Sequence, residues 1–300
     1  MSKIIPFAAL IPKKEYMDEV ICPPYDVIDS AQARVLAEGK PHSLLHITKA
    51  EIDLPPNTLE YDDLVYATAA KNLARFIKDN TLIRDSASIY IYRLIMRDHT
   101  QTGVVAAVSA DEYKKGLIKK HEKTREPKVV DRTRHSLAIG GHAEPVILVH
   151  RRMSAISKIL EAETKQAPLY DVTDDKEVRH ILWRAKAIQD IVAAFANLDA
   201  LYIADGHHRS ESGLRTKEEM QKKNKDHNGD EPYNFFPAVI FADDQVKVFE
   251  YNWDGPPDMR PQAKVTMADI MDLSDRNGIM PPKSTWFAPK LASGLFVYTF

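Results

Sequence analysis

Leu201-Tyr202-Ile203-Ala204-Asp205-Gly206-His207-His208-Arg209 is the stretch on which the reading of this chain turns. Its first four residues are apolar without alternation, the composition of a strand buried on both faces. They run straight into a glycine, where no Cβ hinders a sharp bend. From Arg209 to Lys222 the sequence reads as a helix. The opening amides of a helix lack intrahelical acceptors and sit at the positive end of its dipole. A strand, a glycine and a helix in this order therefore make an anion site. Arg209 adds a planar fork suited to phosphate oxygens. His207 and His208 can donate hydrogen bonds or move a proton. Asp205 can orient an imidazole or hold a magnesium ion. The competing reading is a plain helix cap with solvated histidines. Four polar residues around one glycine at such a junction favour the site.

Outward from this turn, the pattern predicts an α/β protein with mixed sheets. Ser88–Met96 and Thr102–Val108 are rich in β-branched and aromatic residues and predict a hairpin. Ile4–Leu10, Ser43–Thr48, Glu144–Val149 and Leu169–Val172 read as further strands. Phe235–Phe241 with Val246–Tyr251 predicts a second hairpin, and Lys283–Phe287 with Gly294–Tyr298 a last one. Helices are expected from a cap at Asp29 or Ser30 to Gly39, over Leu59–Lys78, Met153–Glu163 and Val178–Phe195, and over Met267–Arg276. Trp253–Gln262, with three prolines, reads as a linker. Residues 1–86 are expected to form an α+β region and 87–300 a second region carrying the turn.

Composition narrows the function classes. A 300-residue chain that is 44% hydrophobic and 28% charged can bury a sizeable core unaided. A net charge of -2 provides no general attraction for nucleic acid or anionic membranes, so no specific nucleic-acid partner is expected. No run approaches the ~20 apolar residues of a membrane helix. One cysteine, Cys22, allows no internal disulfide and reads as a small buried residue. The first residues carry no secretory signature. Together these predict a cytoplasmic protein.

A second segment, Gly116 to Arg125, packs His121, Glu122, Thr124 and Arg125 among lysines. Glu122 or His121 could serve as a general base toward a hydroxyl, and Thr124 and Arg125 could hold anionic groups. The same residues also read as a solvated charge run. No second histidine stands at zinc-site spacing, so no metal is assigned there. Pro23-Pro24-Tyr25-Asp26 reads equally as the frame of a ligand pocket or as a rigid turn. His135, His142 and Glu144 fit no standard metal set, and the two histidines read as solvated or capping groups. Met280-Pro281-Pro282-Lys283-Ser284-Thr285 reads as an extended connection.

Taken together, Pro23–Ile28, Tyr90–Arg93, Gly116–Arg125, Ala143–Val146, Ala204–Arg209 and Met280–Phe287 resemble the uncharacterised prokaryotic family labelled domain of unknown function 1015. The Asp-Gly-His-His-Arg segment is similar to the phosphate-binding box of the ParB and sulfiredoxin superfamily, which includes CTP-binding ParB-like proteins, sulfiredoxins and an ADP-dependent free-serine kinase. The resemblance implies a ParB/sulfiredoxin-like C-terminal part, with phosphate held by His207, His208 and Arg209 and Glu122 as base. Two departures stand out. Sulfiredoxins carry a reactive cysteine at the place of His207, which argues against sulfinic-acid repair. The stretch from Asn252 to Ile279 is also shorter than is usual in the family. The function expected is a nucleotide-dependent phosphotransferase that uses ATP or ADP, with magnesium, on a small hydroxylated metabolite such as a serine-like amino acid. The alternative is a non-catalytic, nucleotide-binding regulator.

Overall fold

Ile89-Tyr90-Ile91-Tyr92 and Val104-Val105-Ala106-Ala107-Val108 set the layering. Successive side chains of a strand point to opposite faces. Ile89, Ile91, Val104, Ala106 and Val108 enter one apolar cluster. Tyr90, Tyr92, Leu94, Val105 and Ala107 enter another. A sheet buried on both faces is the middle of a layered α/β fold. The protein is described here from a computed structural model over residues 2–250, 266–276, 285–288 and 293–300.

The main sheet is mixed and has nine strands among the described residues. In chain order they are Ile4–Ile5 (β1), Tyr90–Met96 (β2), His99–Ser109 (β3), Ile118–Lys119 (β4), Val146–His150 (β5), Tyr170–Thr173 (β6), Arg179–Arg184 (β7), Leu201–Asp205 (β8) and Phe235–Ala242 (β9). Their spatial order is β4-β8-β5-β9-β3-β2-β7-β6, with β1 beside the far end of β3. The pair β4 and β8 is parallel, β8 and β5 antiparallel, β5 and β9 parallel. Hence β4 and β8 end where β5 and β9 begin, and four connections converge at one edge of the sheet. A third apolar cluster joins Leu10, Leu45, Leu73, Phe76 and Leu82 to Ile139, Ala143 and Val297.

Several expected elements stand where the pattern placed them. Asp29 caps the Ser30–Ala37 helix in a capping box with Gln32. Asp62 caps the Asp63–Lys78 helix, which starts four residues later than expected. The Ser88–Met96 hairpin, the Ser154–Glu163 helix and the Met267–Asp275 helix form as read.

Others differ, each for a packing reason. Val178–Phe195 is not one helix. Its first part is β7, hydrogen-bonded along six residues to β2, and the helix is Ile188–Phe195. His180 to Trp183 are buried, so an apolar run made to fill two faces of a sheet read as one face of a helix. Ser43–Thr48 is no strand but a helical turn, Leu45–Thr48. The second hairpin does not form. All eight residues of β9 are buried, and β9 lies between β5 and β3. Lys247–Glu250 pairs instead with Thr285–Ala288, which also removes the last hairpin. Tyr298–Thr299 pairs with Gly141–His142. The 253–262 linker and residues 280–284 lie outside the described residues. Among the described residues no helix is long and apolar enough to cross a membrane.

Close strand packing gives a test of this layer. A Cβ at Gly103 in β3 would lie 2.5 Å from the Ile240 carbonyl oxygen and 2.6 Å from the Phe241 ring. Gly103→Ala should therefore lower stability by roughly 1–3 kcal/mol, read as a fall in the urea midpoint at constant slope. An unchanged midpoint would contradict the β3–β9 contact.

Candidate functional site

Strand β8 ends at Asp205, and the helix His207–Lys223 begins two residues later. Gly206 makes the bend at φ 93°, a left-handed conformation that an L side chain resists. The first intrahelical bond runs from Ser210 N–H to the Gly206 carbonyl at 2.8 Å. The amides of His207, His208 and Arg209 precede it and meet no backbone acceptor among the described residues. Asp205, Gly206, His208 and Arg209 are half-buried, so the bend reaches solvent.

Because β4 and β8 are parallel neighbours, the His121–Arg125 loop leaves the sheet beside the bend. The His121 N–H faces His207 Nε2 at 3.4 Å, and the Arg125 N–H donates to His208 Nε2 at 3.0 Å. An imidazole that accepts at Nε2 carries its proton on Nδ1. That proton on His207 points at Glu122, whose Oε2 lies 3.6 Å from Nδ1. His207 packs edge-on against His121, ring centroids 4.5 Å apart. Burial holds the pKa of His207 well below the usual imidazole range, helped by the neighbouring His121, and burial brings His121 down to about 4. Both are neutral at physiological pH. Glu122 is one-third exposed. Thr124 lies half-buried between these contacts and makes no hydrogen bond to the bend among the described residues. The two segments singled out in the sequence thus meet.

Arg209 is placed differently from a free phosphate fork. One terminal nitrogen donates to Asp205 Oδ2 at 2.6 Å, the other to the Pro145 carbonyl. Asp26 lies 3.7 Å away. Its Nε is buried and has no partner among the described residues. Asp205 is therefore committed to a guanidinium, and the residues do not fit a magnesium ion held there. No group of three or more potential ligands with metal-site geometry occurs among the described residues.

Arg132 was not read from the sequence, and Glu144 was noted there only beside the histidines. Arg132 lies over the Tyr25 ring at 4.1 Å and donates to Asp131 at 2.7 Å. Glu144 accepts the Tyr25 N–H at 3.0 Å and the Ser293 hydroxyl. Burial pushes the Glu144 carboxyl upward, against the pull of Arg209. The Pro-Pro-Tyr-Asp turn is thus part of the site's wall. The Glu126–Ile139 helix that carries Arg132 was missed altogether. Pro127 at its start and Gly140 just past its end were the available signals. The reading of His135 and His142 as solvated or capping groups is overturned, since both are buried, as is Glu144.

Burial of these imidazoles sets a pH dependence. His121 and His135 titrate at about 4 and His142 at about 3, chiefly through desolvation. In the unfolded chain they bind protons near pH 6.5. The unfolded state then takes up more protons, so stability present above about pH 6.5 is lost as pH falls toward 4. Urea midpoints should drop between pH 7 and pH 5. Equal midpoints would contradict neutral, buried rings.

Comparison with known proteins adds the family. No curated protein and no solved structure matches the chain. A family model described as "Protein of unknown function (DUF1015)" matches residues 4–252. That range takes in the Pro-Pro-Tyr-Asp turn, the His121–Arg125 loop, Glu144 and the Asp205–Arg209 bend, and stops short of Met280–Phe287. With most of its length matched, the chain belongs to the DUF1015 family of proteins of unknown function.

Proposed function

We propose that this protein is a nucleotide-dependent phosphotransferase acting on a small hydroxylated metabolite. The observation that carries the reading is the placement of Glu122. Its carboxylate lies 3.6 Å from a buried neutral imidazole, beside a helix N-terminus whose first amides lack backbone acceptors. Phosphoryl transfer asks for little covalent chemistry from a protein and much positioning of charge. The amides of His207, His208 and Arg209 would donate to phosphoryl oxygens. His208 accepts at Nε2, so its Nδ1–H adds a further donor. Glu122 would take the proton from the acceptor hydroxyl as its oxygen bonds to the terminal phosphorus and the bond from that phosphorus to the departing nucleotide breaks. His207 is then a positioning residue: both ring nitrogens face the 121–122 loop, and its Nδ1–H orients the Glu122 carboxylate. No step is assigned to a magnesium ion, because Asp205 is bound to Arg209.

One observation favours a second reading, a nucleotide-binding regulator without turnover. The ends of the Arg209 guanidinium already bind Asp205 and Pro145. A phosphate that drew Arg209 away would release Asp205 and the start of β5, which is the two-state element a switch requires.

Thermal-shift titration with ATP, ADP, CTP and GTP tests both, since a ligand of the folded state raises the midpoint by mass action. Under the proposal at least one nucleotide stabilises the wild type, and His208→Ala reduces the shift. Glu122→Gln should keep the shift while phosphate transfer falls by about 10²–10⁴-fold. A shift without transfer to any hydroxylated acceptor would select the regulator. No shift with any nucleotide overturns both readings.

A further inference from the structure

Beside Arg209 lies a cavity of about 30 Å³ whose lining includes Arg132, His135, Ser136, His142, Glu144 and Arg209, and neither His207, His208 nor the His121–Arg125 loop. Of its lining residues only Arg132 and Arg209 retain some exposure, with side chains 15% and 11% exposed. The carboxylates that pair with them, Asp131 and Asp205, are not part of the lining. The one carboxylate that is, Glu144, already accepts from Tyr25 and Ser293 at one oxygen. Asp131, Asp205 and Asp26 offset both charges, so what the cavity offers an anion is N–H donors rather than net charge.

Two buried nitrogens in this wall lack partners among the described residues, Arg209 Nε and His142 Nε2. Arg209 Nε always carries a proton. His142 Nδ1 lies 3.1 Å from the Ser136 hydroxyl, and a hydroxyl that donates there leaves the proton on Nε2. His142 is 7% exposed. A buried donor left unpaired is costly, and such groups are as a rule satisfied by water or ligand. The volume admits about two or three oxygen-sized atoms, which suits the oxygens of a carboxylate and is tight for a tetrahedral phosphate.

We infer that this cavity is a binding site for a planar oxyanion, either the carboxylate of a small organic acid or bicarbonate, held by the free N–H edges of Arg209 and His142. It goes beyond the phosphotransferase reading, because its lining includes neither Glu122 nor the two histidines of the bend and it needs no nucleotide.

Isothermal titration of the full chain, in buffer free of carboxylates, with acetate, glycolate, bicarbonate and inorganic phosphate is the test. Saturable binding of acetate or glycolate assigns an organic acid, and of bicarbonate alone the inorganic ion. His142→Asn, which keeps a polar group toward Ser136 but deletes the Nε2 edge, should weaken binding about tenfold. His142→Gln, which returns a donor near Nε2, should restore it. Ser212→Thr, adding a methyl group to the lining, should weaken binding independently of His142 and serves if the Asn variant fails to fold. The inference is overturned if the wild type binds none of the three planar anions, if phosphate binds more tightly than all of them, or if neither His142→Asn nor Ser212→Thr weakens binding. A nucleotide shift, present or absent, bears only on the phosphotransferase reading.

Discussion

A guanidinium held almost out of solvent between three chain segments is the constraint that the site depends on. Arg209 sits at the head of a helix, where a cation is disfavoured by the dipole. It is tolerated because Asp205 and the Pro145 carbonyl take its terminal nitrogens and Asp26 stands close by. A buried charge demands such partners, and removing one leaves the rest uncompensated. The same contacts fix where β8 ends relative to β5 and where the N-terminal turn lies against both. The position of the bend is thus set by charge pairing as much as by the sheet. The histidines follow from it: His207 and His208 are carried by the same helical turn and receive the amides of the His121–Arg125 loop.

The sheet delivers the two loops, and pairing order explains how. Residues 121 and 207 are far apart in sequence, yet β4 and β8 are adjacent and parallel, so their carboxyl ends coincide. In open α/β sheets this end is where ligands gather. Here β5 and β9 begin at the same edge, which adds Glu144 and Pro145 to the neighbourhood. Functional groups from both directions of the chain therefore share one rim.

Much of this was legible in residues and some was not. The Leu201–Ala204 run, the glycine and the helix after it state their local geometry openly, because strand burial and glycine freedom are local properties. The likelihood of Glu122 meeting His207 could not be read from spacing, since parallel pairing of two short strands leaves no periodic mark. The Val178–Phe195 region misled for a related reason: β7 is buried on both faces by its neighbours, which erases the alternation that marks a strand. Phe235–Ala242 shows the complementary case, where a true strand was recognised but its partners were not, because pairing is a tertiary choice. His135 and His142 were read as solvated, as isolated polar residues usually are. His135 lies on the Glu126–Ile139 helix, with its Nε2 2.8 Å from the Ile47 carbonyl, and His142 pairs with Tyr298, and neither placement is written in local pattern.

Residues 293–300 thread back to the oldest parts of the chain. Leu10 bonds to Val297, Cys22 to Ser293, Gly140 to Phe300, and Ser293 also donates to Glu144. Contacts at such separation close late and slowly during folding. On the ribosome, the segments near residues 10, 22 and 144 must wait for the chain to reach these positions. The wall that holds Glu144 is therefore completed after synthesis has passed residue 293, and a nascent chain halted before that point carries the bend without its finished surroundings.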